Sequence, residues 1–273
     1  AASSWDYVAQ GPAFDAADRA YQVAWGRPPL RVGLGAGVAV ESDIAAAMGG
    51  NSGIRIFERS LDGQGVPTWM ETSVIPISGV MNGRFSDGRL YVRTTARLLE
   101  LTRGTNGAWT SVQVAEQASY NSVFPSGNLA VDGDTLVFGA IGANPVGFQT
   151  PGSVKVFRRG SSGWALEAQL PDRAVPEGIW AWGESVAISG DTIAVGANFE
   201  PGTGLRGYVR IFRRDAANHW ALEGDLVHPS STAAREGFGM SVALSGDRLI
   251  VGDHLDDAGG PDSGALHVYQ RDG

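Results

Sequence analysis

Residues 183–226 read GESVAISGDTIAVGANFEPGTGLRGYVRIFRRDAANHWALEGDL, and much of this text occurs again elsewhere in the chain. Residues 238–273 repeat it as FGMSVALSGDRLIVGDHLDDAGGPDSGALHVYQRDG. Residues 127–171 repeat it as GNLAVDGDTLVFGAIGANPVGFQTPGSVKVFRRGSSGWALEAQLP. A self-similar period of about 55 residues is typical of an array built from one supersecondary unit.

Each unit is predicted to contain four β-strands, which in this stretch are residues 184–189, 192–197, 207–213 and 220–226. In the third strand we expect Tyr208, Arg210 and Phe212 on one face. Val209 and Ile211 should lie on the other, because side chains alternate along a strand with a period of two. The short SGD and DGD sequences between the first two strands are hairpin signals. Four-stranded antiparallel sheets repeated around an axis form a β-propeller, so the predicted fold is all-β.

Five copies of an arginine-ended strand predict five blades. They are GIRIFER, RLLELTR, SVKVFRR, YVRIFRR and ALHVYQR, which end at Arg59, Arg103, Arg159, Arg214 and Arg271. A segment that opens with tryptophan follows the first four copies, at Trp69, Trp109, Trp164 and Trp220. We interpret arginines and tryptophans that recur in the blades as structural residues.

The tryptophan segment of the fifth blade is expected at the N-terminus. Residues 4–10, SWDYVAQ, resemble GWALEAQ at 163–169, so residues 5–10 are predicted to pair with residues 265–270. Residues 1–273 would then form a single β-propeller domain, with blade 5 shared between residues 1–10 and 238–273. An unpaired sheet edge would otherwise be exposed in that blade.

Composition excludes several classes of function. The net charge of −8 argues against binding to nucleic acid or to an anionic membrane, which require a basic surface. The chain has no cysteine, which excludes disulfides, zinc–thiolate sites and cysteine nucleophiles. No apolar run approaches about 18 residues, so no membrane insertion is expected. The opening AASS suits a mature N-terminus left by signal-peptide cleavage, and we expect a secreted or cell-surface protein of bacterial origin.

The sequence FGMSVALSGDRLIVG at 238–252, with Gly196-Ala197 closing the equivalent strand of the previous unit, resembles the FG-GAP repeat family. This family includes integrin-like β-propellers, such as those of integrin α-subunits, and many bacterial surface or secreted proteins. The resemblance is strong over residues 123–273 and weak over 1–122. It implies a propeller used for adhesion, protein binding or carbohydrate binding, and in a minority of relatives a domain of a polysaccharide-degrading enzyme.

Two features depart from that family. Integrin-type repeats often carry a DxDxDG calcium loop where this chain has only SGD or DGD, which is too short to supply about 6–8 oxygen ligands. No calcium is therefore expected in those turns. The family usually has seven blades, whereas this chain has five, a number known among propeller lectins, so a sugar-binding function is an analogy only.

The long loops after strands two and four of each unit are expected on one face of the propeller. Binding residues concentrate on loops held by a rigid scaffold. The candidate ligand-binding residues there are Trp180, Trp182, Asn198, Glu200, Asp256 and Asp257. Trp182 aligns with Phe238 of the FG pair, which makes packing between blades the main alternative for it. Trp180 aligns with Glu236, so the scaffold does not require an aromatic residue there.

No catalytic residue, metal site or cofactor is assigned from the sequence. The loop at 253–262, DHLDDAGGPD, has four carboxylates and one imidazole, but it fits a solvated acidic loop better than a known cation-binding template. The four histidines fall at different repeat positions, and no nucleophile motif such as GxSxG accompanies them. They are His219, His228, His254 and His267.

Three functions remain open from the sequence. The first is a non-enzymatic, lectin-like recognition or adhesion module that binds a glycan or protein through the long-loop face. The second is a carbohydrate-active enzyme, either a polysaccharide lyase or a glycoside hydrolase, that uses the same face. The third is a structural domain of a larger surface protein. Carboxylates that converge with a histidine at the channel mouth would favour the enzyme, and an exposed aromatic platform without them would favour recognition.

Overall fold

The computed structural model describes residues 37–49, 53–116, 128–140, 152–171, 182–197, 207–228, 237–256 and 263–271. In these ranges all the regular secondary structure is β-strand, and the strands form five antiparallel sheets. Four sheets have four strands, and the last has three. The predicted all-β fold of five propeller blades is therefore confirmed. The chain divides into two compact units, residues 1–113 and 114–273, and each is described by itself.

The first unit contains two blades, with strand orders β1-β2-β3-β4 and β5-β6-β7-β8, and only the last residues of β8 extend past its boundary at residue 113. The strands are β1 Gly37–Glu41, β2 Ile44–Met48, β3 Ile54–Leu61, β4 Pro67–Ile75, β5 Val80–Ser86, β6 Arg89–Thr94, β7 Arg97–Arg103 and β8 Trp109–Glu116.

The second unit contains three blades, with strand orders β9-β10-β11-β12, β13-β14-β15-β16 and β17-β18-β19. The strands are β9 Leu129–Asp132, β10 Thr135–Ala140, β11 Ser153–Gly160, β12 Gly163–Leu170, β13 Ser185–Ser189, β14 Thr192–Ala197, β15 Tyr208–Arg214, β16 Trp220–Val227, β17 Ser241–Ser245, β18 Arg248–Asp253 and β19 Ala265–Gln270.

The strands predicted for blade 4 agree with β13–β16 to within one residue at each end. The two faces of β15 also separate as predicted. Tyr208 and Phe212 are buried in one hydrophobic cluster with residues of blade 3, and Val209 lies in another with Phe238 and Val251 of blade 5. Blade 4 therefore packs on both faces, and the hydrophobic cores of this unit lie between successive sheets.

In the first unit the core likewise lies between its two sheets. Met48, Ile54 and Ile56 of blade 1 are fully buried together with Leu90 and Leu101 of blade 2. Burying each such side chain stabilises the folded state by about 1.5–3 kcal/mol relative to exposure.

In blades 4 and 5 the repeated arginine has the structural role predicted for it at the end of a hairpin. Arg214 donates from its backbone N–H to the carbonyl of Asp191 at 2.9 Å, and its guanidinium pairs with the Asp191 carboxylate at 2.6 Å. Arg271 repeats both contacts with Asp247. Arg214 also lies over the ring of Trp220 at 5.2 Å, a cation–π contact that joins the two residues repeated most regularly.

Adjacent blades are linked at their short turns. The backbone N–H of Gly190, in the β13–β14 turn, donates to the carboxylate of Asp132 in the previous blade at 2.5 Å. Gly246 of the next blade donates to the hydroxyl of Ser189 at 3.0 Å. In the first unit, Gly88 donates to Glu41 in the same way at 2.7 Å.

Two expectations about the chain as a whole stay predictions. Residues 1–10, predicted to complete blade 5, lie outside the described residues, and the single-domain interpretation is not tested by the two units.

Among the described residues no helix is long and apolar enough to cross a membrane.

Candidate functional site

Trp182 lies in the core between blades 3 and 4. Its side chain is 1% exposed, and its ring stacks on Tyr208 with centroids 6.3 Å apart and meets the edge of Phe212 at 6.2 Å. The alignment with Phe238, which is likewise buried, predicted this alternative. The structure thus leaves Trp182 no surface to offer a ligand, which corrects its place among the candidate ligand contacts.

Of the other candidates from the sequence, one lies within the described residues and four lie outside them. Asp256 is described and is buried rather than exposed. The remaining four lie outside the described residues, so their proposed ligand contacts stay predictions. They are Trp180, Asn198, Glu200 and Asp257.

The described structure instead brings two carboxylates of the acidic loop at 253–262 together with two histidines that the sequence did not connect with it. His228 directly follows β16, Asp253 ends β18, Asp256 lies in the loop after it, and His267 lies in β19. One ligand atom from each of these residues lies within 4.8 Å of the others. We call this set the His–Asp cluster. It lies at the long-loop end of the last blade, between blades 4 and 5.

Asp256 occupies the middle of the His–Asp cluster. Its Oδ2 is 2.8 Å from Nε2 of His228, which is hydrogen-bond distance, and 3.7 Å from Nε2 of His267. The loop around it is also fixed through its backbone, because Gly264 and Ser263 both donate to the carbonyl of Asp256. Both imidazoles therefore present their Nε2 atoms to the same carboxylate.

Asp253 is held by the backbone on one side and faces the cluster on the other. Its Oδ1 accepts hydrogen bonds from the backbone N–H groups of Gly237 at 2.7 Å and Leu255 at 3.1 Å. Its buried Oδ2 has no hydrogen-bond partner among the described residues and lies 3.9 Å from Nε2 of His228. The two backbone donors thus fix the carboxylate so that Oδ2 points at the imidazoles.

The phenylalanine of the FG pair forms one wall of the His–Asp cluster. The ring of Phe238 meets His228 edge-on at 5.9 Å and lies 5.4 Å from His267, and the two imidazoles meet edge-on at 4.8 Å. The side chains of His228 and Asp256 are each 6% exposed, Asp253 is 0% exposed and His267 is 18% exposed. An apolar wall and this degree of burial strengthen every electrostatic interaction inside the cluster.

The corresponding positions in blade 4 hold different residues. The strand pairing places Ala197 where blade 5 has Asp253, and Arg210 where it has His267. Arg210 pairs with Asp225 at 2.9 Å and donates to the carbonyl of Pro171 at 3.1 Å. The His–Asp cluster is therefore a feature of the last blade and not of the repeat.

Those departures were the signal that sequence reasoning missed. The position of His267 holds a basic residue in three other blades, namely Arg55, Lys155 and Arg210, and that of Asp253 holds alanine in blades 3 and 4. His267 and Asp253 both differ from the residues that the other repeats have at these positions, which is a signal of a site specific to this blade. Their partner His228 comes from the preceding blade.

A comparison with protein-family models identifies the repeat itself. Residues 220–269 match the model described as FG-GAP repeat. Over these residues the chain is similar to an FG-GAP repeat. The match includes all four residues of the His–Asp cluster, and over residues 220–269, which contain the FG pair, it confirms the predicted resemblance. No curated protein matches the chain.

Several solved structures share the fold at low sequence identity. A chain of a Saccharomyces cerevisiae complex containing Dbp5, Nup159 and Gle1 is 12% identical with a TM-score of 0.51, over 88% of this chain and 60% of that one. The N-terminal domain of Nup159 is 12% identical with a TM-score of 0.51, over 89% of this chain and 61% of that one. A protein from Lactobacillus plantarum is 15% identical with a TM-score of 0.51, over 89% of this chain and 72% of that one. This chain thus spans about 60% of the length of the first two, and the likeness concerns the fold alone.

Proposed function

We propose that this chain is a recognition or adhesion module that binds a glycan or a protein through the loops at the long-loop end of its blades. The observation that carries the proposal is the His–Asp cluster, which ties both ends of the β16–β17 connection to the end of β18 and to the loop after it. His228 directly follows β16 and Gly237 precedes β17, whereas Asp253 ends β18 and Asp256 lies in the loop after it. Loops held in this way on a rigid scaffold are where proteins place binding residues.

The two ends of the blades differ in a way that supports the same proposal. At one end the first two strands of a blade are joined by two-residue turns, as between Ser189 and Thr192 or between Ser245 and Arg248. At the other end the connections after β10, β14 and β18 are long, and include residues 141–152, 198–207 and 254–264. The variation in sequence between repeats is concentrated in these connections, whereas the turns repeat SGD or DGD.

The second candidate function is a carbohydrate-active enzyme. The convergence of Asp253 and Asp256 with His228 matches part of what was expected to favour it, namely carboxylates that converge with a histidine at the channel mouth. Burial opposes it, because both carboxylates are at most 6% exposed and a sugar ring must reach the carboxyl groups that act on it. We therefore prefer recognition, with the ligand on the loops and the cluster beneath them.

The proposal includes the setting in which such a module works. A glycan or protein ligand is most accessible to a secreted or cell-surface protein, and the net charge of −8 fits neither nucleic acid nor an anionic membrane as partner. A structural domain of a larger surface protein would share the fold but would have no ligand of its own.

A glycan array, followed by binding titrations with the sugars that score, tests the proposal. A variant in which residues 199–206 are replaced by an equally long Gly/Ser segment should lose binding while its melting temperature stays near that of the parent chain. The matched control is Asn218→Gly at the opposite end of the same blade, where the residue already has φ 64° and glycine introduces no strain.

The outcomes separate the three functions. Loss of binding in the loop variant alone supports recognition. Equal binding by both variants places the ligand elsewhere and overturns the proposal. Release of shortened sugars during incubation indicates the enzyme, and a chain that binds neither arrayed glycans nor immobilised extracellular proteins is a structural domain.

A further inference from the structure

We propose that the His–Asp cluster is a binding site for one divalent transition-metal ion, with zinc as the best-fitting ion. The ligands are Nε2 of His228 and His267 and one carboxylate oxygen each of Asp253 and Asp256. The inference goes beyond the recognition function, because it holds whichever ligand the loops bind.

The spacing of the ligand atoms fits a small tetrahedral ion. Zinc lies about 2.0–2.2 Å from imidazole nitrogen and carboxylate oxygen, which places neighbouring ligand atoms of a tetrahedron roughly 3.3–3.6 Å apart. The distances from Asp256 Oδ2 to His228 and His267 are 2.8 and 3.7 Å, and that from Asp253 Oδ2 to His228 is 3.9 Å. All four atoms lie within 4.8 Å of one another, so small side-chain rotations complete the site.

The kinds of ligand select the class of metal. Two imidazole nitrogens and two carboxylate oxygens suit zinc and other first-row transition metals. Calcium requires about 6–8 oxygen ligands, which this set does not supply. The site is also separate from the SGD and DGD turns, which lie at the other end of the blades.

Asp253 gives independent evidence that a ligand is expected. Its side chain is fully buried, its Oδ1 is used by Gly237 and Leu255, and its Oδ2 has no hydrogen-bond donor among the described residues. A buried carboxylate oxygen without a donor is costly, since nearly all buried polar atoms in native proteins have a partner. A metal ion in the cluster would satisfy this oxygen directly. The backbone N–H groups on Oδ1 would orient the carboxylate, as supporting groups do at metal sites.

Charge balance points the same way. Two ionised carboxylates within 4.8 Å of each other and shielded from water repel one another. A dication neutralises both, and the two imidazoles then coordinate in their neutral form. The ion would fasten the segment after β16 to the segment after β18 and to β19, which are the elements beneath the proposed binding loops.

The experiment uses the full chain after dialysis against a strong chelator. Isothermal titration with zinc should give one ion per chain, and the melting temperature should rise as zinc is added. Cobalt(II) should give the visible absorption of a four-coordinate ion, and zinc should displace it.

Two variants and a matched pair of controls locate the ion. Asp253→Asn and His267→Gln should each weaken zinc binding by about 100-fold or more, because loss of even a supporting group costs about 10–100-fold. The controls are Asp215→Asn and His219→Gln, since this exposed pair has the same residue types 3.6 Å apart. Both controls should bind zinc as the parent chain does.

Three results would overturn the proposal. The first is a metal-free chain that gives no heat, no rise in melting temperature and no cobalt spectrum, which would make the cluster a hydrogen-bonded His–Asp network. The second is unchanged zinc affinity in both cluster variants. The third applies if those variants fail to fold. It is an X-ray absorption spectrum of the zinc-loaded parent chain that shows no imidazole ligands, because such an ion is not in this cluster.

Discussion

Gly196 in β14 lies directly against Gly239, the glycine of the FG pair that begins blade 5. A Cβ on Gly196 would overlap the carbonyl oxygen of Gly239, which has φ +87°. The same contact joins blades 3 and 4, where Gly139 lies against Gly183. The FG and GA pairs are therefore the two halves of one contact between blades: the aromatic residue fills the core, and the glycines let the backbones meet.

Gly196→Ala should be strongly destabilising. The added methyl group would overlap the backbone carbonyl of Gly239 as well as the hydroxyl of Ser185, and the backbone cannot move aside. We therefore expect a loss of about 3 kcal/mol, at the upper end of the usual cost of overpacking. Gly224→Ala is the control, since a Cβ there has nothing within 4 Å. It should leave the free energy of unfolding unchanged or raise it slightly. Urea denaturation of both variants checks this, and equal stability would contradict the close contact.

The link between Asp132 and Gly190 gives a second prediction. Asp132→Ala removes the acceptor of the N–H of Gly190, and because the turn is exposed we expect a loss of only about 1 kcal/mol. Asp132→Asn keeps a carbonyl acceptor and should retain most of the stability. Thermal melting of the three proteins tests the order, and an alanine variant as stable as the parent would show that the link contributes nothing.

The blades were predictable because their signals are local. Alternation at Tyr208 and Phe212 fixes which face enters the core, and the two-residue turn at Gly190 fixes the register of its hairpin. Each of these signals lies within a few residues of the next and is repeated in several blades. A pattern that recurs is interpreted from several copies at once.

The His–Asp cluster was not predictable in the same way. His228 and His267 are far apart in sequence and come together only because blade 4 ends beside blade 5. Asp253 looked like one charge of an acidic loop, although the N–H of Gly237 holds it in the interior. Burial and convergence depend on how the blades pack, which the repeat pattern alone does not contain.

Glu184 provides a pH-dependent prediction. Burial raises the pKa of the Glu184 carboxyl above its ordinary value of 4.5, so the folded state favours the protonated form. The stabilising effect of that preference is fully present below pH 4.5 and is lost as the pH rises through the folded-state pKa. At pH 7 the buried charge therefore opposes folding.

Glu184→Gln should accordingly raise the melting temperature at pH 7, and the gain should disappear below pH 4.5. Glu71→Gln is the control, because Glu71 pairs with Arg55 at 3.0 Å and its removal should bring no gain at neutral pH. Melting curves measured from about pH 3.5 to about pH 7.5, a range that begins below the ordinary glutamate pKa, compare both variants. A gain that persists unchanged at acid pH would show that the charge of Glu184 is not its cause.

Deletion of residues 1–10 tests the predicted completion of blade 5. In the described residues β19 pairs with β18 alone, and a strand without a second neighbour exposes unpaired N–H and C=O groups. The truncated chain should melt at a lower temperature and aggregate more readily. Deletion of residues 1–4 is the control, because it keeps residues 5–10. A chain without residues 1–10 that melts like the full chain would refute the pairing.

Trp182 and Trp180 are two residues apart, and we predict opposite effects for them. Trp182 stacks on Tyr208 and is 1% exposed, so Trp182→Ala should cost about 3–5 kcal/mol of stability, the usual range for truncating a buried tryptophan. Trp180 aligns with a glutamate in the next repeat, and Trp180→Ala should instead weaken glycan or protein binding with little change in melting temperature. Urea denaturation and titration with an array-identified ligand separate the two effects. A stability loss at Trp180 as large as that at Trp182 would make it a core residue, and the ligand would then have to contact other parts of the loops.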